Sequence, residues 1–392
     1  MQQNLKKSFS QTFNKIEGIA NNNFIERDYD IILYGSTSFT AKYVIQQLKN
    51  CDLKIALAAR NASKIIKTQF DVIESDISAI ESVTQKTKVL INLVGPYSKN
   101  GTGLKIIEAC IKTSTDYVDI TGEVNFIKEA CKKFNSSAKY NQVSIVQSCG
   151  FDSIPSDIGA FYLAKCFDDC SIKGQITNAR TTLNTGTWNS FIESLLSLAK
   201  KKNEQIKQNV KKEKSLIDSE SCSVKYLGPD CFVTNKSAQF LKNITTYKYE
   251  MFMKMKNRFF AYLFLFYMFF ISKMVKYAFF EYLLRKFPCL FSFGIVRSGG
   301  PSVSQVEKGF FEIEMIAHGK HGENEKSKKL VITGKDPSYL CTSIFVTECA
   351  YQLVRNRNAV PKGVITPAIA FHNTDIVECF IRKGISFKLV DL

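Results

Sequence analysis

The stretch DYDIILYGSTSFTAKYVIQQL, from Asp28 to Leu48, decides the fold. Its apolar run Ile31-Ile32-Leu33-Tyr34 stops at Gly35, and Ala41, Val44, Ile45 and Leu48 then recur at helical spacing. A strand that turns on glycine into an amphipathic helix opens a dinucleotide-binding fold, because the turn offers a phosphate free N–H groups and a helix N-terminus. Here the turn reads Gly35-Ser36-Thr37-Ser38-Phe39-Thr40-Ala41, a G-x-x-S-x-x-A version of G-x-x-G-x-x-G. The first glycine, which makes the tight turn, is kept, and alanine at the third still allows close helix packing. At the second, where the backbone must approach a pyrophosphate, Ser38 adds a side chain. Taken alone, the turn reads equally as a cofactor site and as a bare strand-to-helix connection.

Outward from it, short apolar runs alternate with amphipathic helices. KIALAA (54–59), a run from Phe70, VLINLVG (89–95), YVDITG (117–122) and SIVQSCG (144–150) read as further strands, with GLKIIEACIK and VNFIKEACKKF as helices between the later ones. This alternation predicts an α/β fold with a Rossmann-type, doubly wound parallel sheet that binds ligands beyond the strands' carboxyl ends. The candidate residues stand there. Arg60-Asn61 follows the second strand, where an NAD site carries an acid for the ribose 2′-hydroxyl; an Arg, helped by Lys64, points instead to the 2′-phosphate of NADP. Asp76 ends the third strand, where an adenine edge lies, and Gly95-Pro96-Tyr97 ends the fourth, the rigid Pro holding Tyr97 at the cleft mouth. Glu123 closes the fifth and Asp152 follows the sixth, with a helix opening at Ser156 and Asp157 favouring its start.

Composition narrows the function classes. The net charge of +17 points to an anionic partner or to solubility, but no zinc-finger spacing, RNP-like motif or basic heptad helix supports nucleic acid. The twelve cysteines lack a C-x-x-C pair and read as free thiols in a reducing compartment, and three scattered histidines give no metal site. Residues 1–27 form an N-terminal extension without a secretory h-region. Its Leu5, Phe9, Phe13 and Ile16 share a helical face among lysines, which suits a mitochondrial presequence, an interfacial helix or a locally packed extension.

The apolar run FFAYLFLFYMFFI, Phe259–Ile271, holds no charge, and at helical rise it spans roughly 20 Å, short of the about 30 Å hydrocarbon core. Lys254, Lys256, Arg258, Lys273 and Lys276 flank it, and YAFFEYLL, Arg285-Lys286 and FPCLFSF follow. Apolar surface bounded by cations predicts insertion into one membrane leaflet; a helix buried in the second domain or in a dimer interface is the alternative. The lysine-rich run Lys200–Lys214 reads as a solvated loop that adds to any anionic-lipid attraction.

The combination of LYGSTSFTA, LAARNASKI, LINLVGPYSKNG, YVDITGE and CGFDSIPSDIG, with GTWNSFIESL, FPCLFSFG, GKDPSY and GVITPAIAF farther on, resembles the saccharopine dehydrogenase-like oxidoreductases. The likeness runs from about Asp30 to Leu392. It departs where Ser38, Ala41 and Ala59 replace glycines of the family's G-x-x-G-F-T-G and G-R patterns. The resemblance implies a Rossmann domain (28–155), a second α/β domain (156–340) carrying the apolar, basic-flanked segment 259–293, and a C-terminal return to the first domain (341–392). It further implies a nicotinamide cofactor, NADP by Arg60 with NAD open, held by Gly35, Ser36, Thr37, Ser38, Phe39, Thr40, Arg60, Asn61, Asp76, Gly95 and Pro96. Tyr97, Glu123 and Asp152 are the candidate catalytic groups, with Thr187 and Trp188 facing them from the second domain. The expected activity is enoyl-reductase-like hydride transfer to an acyl-chain or lipid substrate in lipid or glycolipid metabolism. The expected place is a membrane, of lipid droplet, mitochondrion or endoplasmic reticulum, on the reducing cytoplasmic side. A homodimer through the second domain is compatible. An inactive lipid-surface scaffold that keeps the fold stays open as an alternative, and a true saccharopine dehydrogenase is less favoured, since a small charged substrate gives the apolar run no purpose.

Overall fold

The computed structural model of the chain describes residues 26–49, 51–65, 67–205, 216–218, 222–226 and 228–392, with the side chains of 197–205 excepted. The expected N-terminal amphipathic helix and most of the lysine-rich run lie outside those residues. Six strands open the chain: β1 (Tyr29–Tyr34), β2 (Ile55–Ala59), β3 (Asp71–Glu74), β4 (Thr87–Asn92), β5 (Asp116–Asp119) and β6 (Ser144–Val146). Eight follow: β7 (Asp169–Arg180), β8 (Leu183–Asn184), β9 (Ile217–Asp218), β10 (Ser223–Lys225), β11 (Thr246–Lys254), β12 (Val296–Arg297), β13 (Phe310–His321) and β14 (Asn324–Lys335). The last two are β15 (Gly363–Ile365) and β16 (Ser386–Asp391). The longer helices are α1 (Ala41–Leu48), α2 (Thr102–Lys112), α3 (Val124–Tyr140), α4 (Ile154–Ala164), α5 (Thr185–Gln205), α6 (Asp230–Phe240), α7 (Arg258–Met274), α8 (Ala278–Lys286) and α9 (Thr342–Arg355).

The first sheet is parallel throughout, in the order β15-β6-β5-β4-β1-β2-β3. Its central strands are apolar and buried on both faces, as helix-covered parallel strands must be; every residue of β2 is buried. Strand order reverses around β1, which lies between β2 and β4, and the crevice beyond their carboxyl ends is the place for a ligand. The second sheet is mixed, β16-β14-β13-β7-β11-β10-β9, with β7 and β11 parallel. Burial alternates along β13, so one face of this sheet packs inward and the other meets water. Ile31 and Leu33 of the first sheet share one continuous hydrophobic cluster with Tyr249, Phe311, Met315 and Ile332 of the second. The two sheets are therefore held by a common core.

The tail divides between the sheets. α9 packs on β4, β5 and α1, and β15 pairs with β6. The last strand does not return with them: β16 pairs antiparallel with β14 at the edge of the second sheet. Its residues are largely exposed, with Phe387 half-buried against Tyr162 and Phe380. Such one-sided burial suits an antiparallel edge and not a covered parallel sheet.

A third layer holds the apolar segment. Trp188, Ile192 and Leu195 of α5 form a small core with Ile271, Val275, Leu284 and Val296. Along α7 only Ala261 and Ile271 are fully buried, while Phe259, Phe266 and Phe269 are 69%, 68% and 60% exposed. α7 is thus not buried in the second domain, and no helix among the described residues is long and apolar enough to cross a membrane.

Candidate functional site

Gly35 ends β1 with φ +86°, and a Cβ there would come within 2.9 Å of Val94 Cγ2 and 3.0 Å of the Leu93 carbonyl carbon. Its bareness lets the nucleotide turn lie against the end of β4. Ser38, the residue in doubt, is not in the left-handed region, so its backbone does not require glycine. Its Oγ accepts the Ala41 N–H at 3.3 Å, which leaves the hydroxyl proton free to donate. Ser36 is buried and donates to Leu33 O at 2.6 Å, a purely internal bond. The backbone N–H groups of Thr37, Phe39 and Thr40 make no hydrogen bond among the described residues. Three unclaimed donors and a free hydroxyl beside the start of α1 are the donor set an anionic dinucleotide needs.

Arg60, just beyond β2, is exposed and makes no ion pair among the described residues. Glu74 of β3 reaches the same loop, but its Oε2 is taken by the Ala62 N–H at 2.8 Å. Asn61 and Asp76 serve as caps: Asn61 Oδ1 accepts from Ser63 N at 3.1 Å, and Asp76 Oδ1 accepts from Ser78 N at 3.1 Å. Both lie at the strand ends around Arg60, and their carbonyl or carboxylate oxygens hold short turns. Gly95 is exposed at the end of β4, joined to half-buried Pro96 by a cis peptide bond. A Cβ on Gly95 would lie 4.0 Å from Ser190 Oγ of α5, which brings the third layer over the crevice.

The three candidate catalytic groups separate. Tyr97 does not stand at the cleft mouth: it is 5% exposed, stacks on Phe126 at 5.4 Å and donates its hydroxyl to Asn92 O at 3.1 Å. Burial, then the Asp119 charge, raise its hydroxyl pKa well above the ordinary value. The ring turns inward because Pro96 is followed by a loop that Glu123 pins from within. The two Glu123 oxygens accept the Tyr97 and Ser98 N–H groups, each at 2.9 Å, so this buried carboxylate positions the Gly95–Ser98 loop. Asp152 differs from both. As a residue it is exposed, no hydrogen bond engages its carboxylate among the described residues, and partial desolvation by the surrounding protein raises its pKa. Its Oδ2 would lie 3.4 Å from a Cβ on Gly122, whose lack of a side chain keeps that space clear.

Sequence reading missed two neighbours of this carboxylate. Pro229 borders Gly122, and the Tyr226 ring lies over Gly228 of the same loop. The Tyr226 hydroxyl has no partner among the described residues; desolvation first and the Asp152 charge second raise its pKa well above the ordinary value. Nothing in the local pattern around Tyr226 signals this, because the loop reaches the cleft from the second domain. Thr187 is exposed near the start of α5, its N–H donating to Asn184 Oδ1 at 3.0 Å. Trp188 faces away from the cleft: it is 7% exposed and donates Nε1–H to Leu284 O at 2.8 Å. Arg285 reinforces the same joint through Asn189 and Glu193 of α5. An open cavity of about 990 Å³, lined in part by Asp169, His318, Lys328 and Asp391, sits at the end of the second sheet remote from the nucleotide turn.

Asp157 opens α4 fully buried, its Oδ2 accepting from Ala368 N at 2.8 Å. Desolvation pushes its carboxyl up to about 7, against about 3.9 in an unfolded chain. A raised folded pKa means that folding binds a proton, so this contribution is full below pH 4 and is lost as pH rises through 7. Asp157→Asn, which mimics the protonated form, should melt progressively higher than wild type as pH rises from 5 to 8, the gap widening by several degrees over that range. Calorimetric unfolding from pH 5 to 8 checks this; parallel pH profiles for the two proteins would refute it.

Residues 31–146 match the family model of the saccharopine dehydrogenase NADP binding domain. Across 92% of this chain and 98% of the other, the chain is 27% identical to the "Lipid droplet localized protein" of Caenorhabditis elegans. It is 26% identical to the "Saccharopine dehydrogenase-like oxidoreductase" of Mus musculus, over 93% of this chain and 98% of that one. Among solved structures, apo saccharopine dehydrogenase (L-Glu forming) from Saccharomyces cerevisiae shares the fold, with a TM-score of 0.53 at 12% identity over 93% of this chain and all of that one.

Proposed function

We propose that this chain, which belongs to the saccharopine dehydrogenase-like oxidoreductase family, uses NADP(H) to reduce or oxidise an acyl-chain or lipid substrate at a lipid surface. The observation that carries the reading is α5. Near its start, Ser190 overhangs Gly95 in the cofactor crevice, and the same helix is fastened by Trp188 and Arg285 to the apolar α7–α8 layer. A lipid-inserting face and a cofactor cleft are thus two sides of one substructure. The exposed face is aromatic, with Phe259, Tyr262, Phe266 and Phe269 on one stripe of α7 and Phe279 and Tyr282 on α8. Lys256, Arg258, Lys273, Lys276 and Lys286 border it, where lipid phosphates would lie. The name of the Caenorhabditis elegans relative accords with such a placement.

When bound, the cofactor supplies the hydride chemistry. The turn donors would hold its pyrophosphate, and Arg60 would pair with the 2′-phosphate. Asp152, accessible and with a raised pKa, is the group in the cleft suited to hold or deliver a proton. The scaffold reading draws on one observation, the commitment of Tyr97 and Glu123 to internal bonds, and it predicts no turnover.

Calorimetric titration of detergent-solubilised protein with NADPH and NADH tests the reading. NADPH should bind more tightly, and Arg60→Ala should weaken NADPH about 10- to 100-fold, the worth of one charge-assisted pair, with NADH little changed. Wild-type protein that binds neither dinucleotide would overturn the oxidoreductase reading and leave the lipid-surface role alone.

A further inference from the structure

The segment that leaves the apolar layer runs directly into the nucleotide turn. After β12 comes a tight turn in which Gly300 N–H donates to Arg297 O at 3.1 Å, with Gly299 and Gly300 at φ +79° and +84°. Both are in the left-handed region that glycine tolerates. A Cβ on Gly300 would fall 2.4 Å from the Phe39 ring, so this backbone is seated on the fifth residue of the Gly35–Ala41 turn. Phe39 is held from its other sides by Tyr339, edge-on at 4.7 Å, and by Tyr43 at 5.9 Å. Tyr339 is itself fixed, since its hydroxyl accepts the Asn184 N–H of β8, the strand that pairs with β12. The β8–β12 ribbon and its turn therefore form a second wall of the crevice.

That wall brings one charge. Arg297 is exposed and has no ion pair or side-chain hydrogen bond among the described residues. It stands three residues before Gly300 across one tight turn, so its Cα lies within about 7 Å of the backbone seated on Phe39, about the length of an arginine side chain. Neither the Gly35–Ala41 turn nor residues 297–301 contain an acid that would claim it. We propose that Arg297 is a cofactor-binding residue, delivered by the second domain, whose guanidinium holds the pyrophosphate of the dinucleotide over the nucleotide turn. A planar fork of donors suits two phosphate oxygens, and it supplies the contact that a turn with serine in place of its second glycine gives less closely. The proposal rests on the oxidoreductase reading above and adds a residue to its cofactor site.

NADPH carries a 2′-phosphate and NADH does not, while both carry the pyrophosphate, so the two ligands separate the roles of the two arginines. Calorimetric titrations of wild type, Arg60→Ala, Arg297→Ala and Arg297→Lys with each dinucleotide form the test. Arg297→Ala should weaken NADPH and NADH alike, about 10- to 100-fold, and Arg297→Lys should recover part of the loss. Arg60→Ala should weaken NADPH alone. An Arg297→Ala protein that binds both dinucleotides as wild type does, or loses affinity for NADPH only, overturns the pyrophosphate assignment. Wild type that binds neither overturns the reading on which it rests. Because Arg297 is exposed and unpaired, its variants should melt within a degree or two of wild type, so a binding loss is not a folding loss.

Discussion

Gly35→Val should bind neither NADPH nor NADH measurably and should be destabilised by about 3 kcal/mol or more. Two independent costs add at this position. The first is conformational: φ of +86° lies where an L side chain meets the following carbonyl, at about 1–2 kcal/mol, and a β-branched residue fares worse. The second is steric: the new Cβ would lie 2.9 Å from Val94 Cγ2 and 3.0 Å from the Leu93 carbonyl carbon, at the buried end of β4. Neither backbone nor core can retreat without displacing the other, so the turn must open. It would then displace Thr37, Phe39 and Thr40, whose N–H groups make no hydrogen bond among the described residues. Gly35→Ala shares the conformational cost with fewer atoms to place and should fall between. Thermal unfolding and calorimetric titration read the two effects separately. A Gly35→Val protein that binds NADPH within a few-fold of wild type would show that the cofactor does not use this turn.

The second large effect concerns the lipid surface and should come at no cost to folding. Phe266→Asp/Phe269→Asp should reduce partitioning onto anionic vesicles by 100-fold or more, because burying a Phe side chain is worth about 1.5–3 kcal/mol. Both rings are exposed on α7, so the melting temperature should barely move. Raising salt should weaken wild-type binding in part, by screening the lysines and arginines that border the stripe, and leave the apolar share. If the double variant floats with vesicles as well as wild type does, the aromatic stripe is not the membrane contact. If instead wild type forms a dimer that the variant loses, the stripe is a subunit interface.

How much of this was legible beforehand differs from element to element. The parallel sheet was, because apolar runs such as Ile31–Tyr34 and Ile55–Ala59 between amphipathic helices leave few other ways to cover both faces. The character of α7 was half legible. Its length and apolarity ruled out a span, but whether its face met core or water depended on how little α5 and α8 could cover. The place of β16 was not, since a six-residue strand does not encode which of two sheets will receive it.

The candidate site divides along the same line. Glycine at 35, arginine at 60 and the strand-end acids are properties of local sequence, and their positions follow from the strand-turn-helix period. What each side chain does there is a matter of tertiary geometry. Tyr97 was turned inward by Phe126 and by the two N–H groups that Glu123 accepts, while Asp152 was left open by the bareness of Gly122. The segments that carry Arg297 and Tyr226 come from more than a hundred residues away, meeting Phe39 through Gly300 and Gly122 through Pro229. By itself, then, the sequence determined a nucleotide-binding sheet and an amphiphilic surface, because periodicity and turn chemistry are local. Only the tertiary structure decided which polar groups face the cofactor crevice, because burial and hydrogen-bond partners come from segments that the chain brings together at a distance.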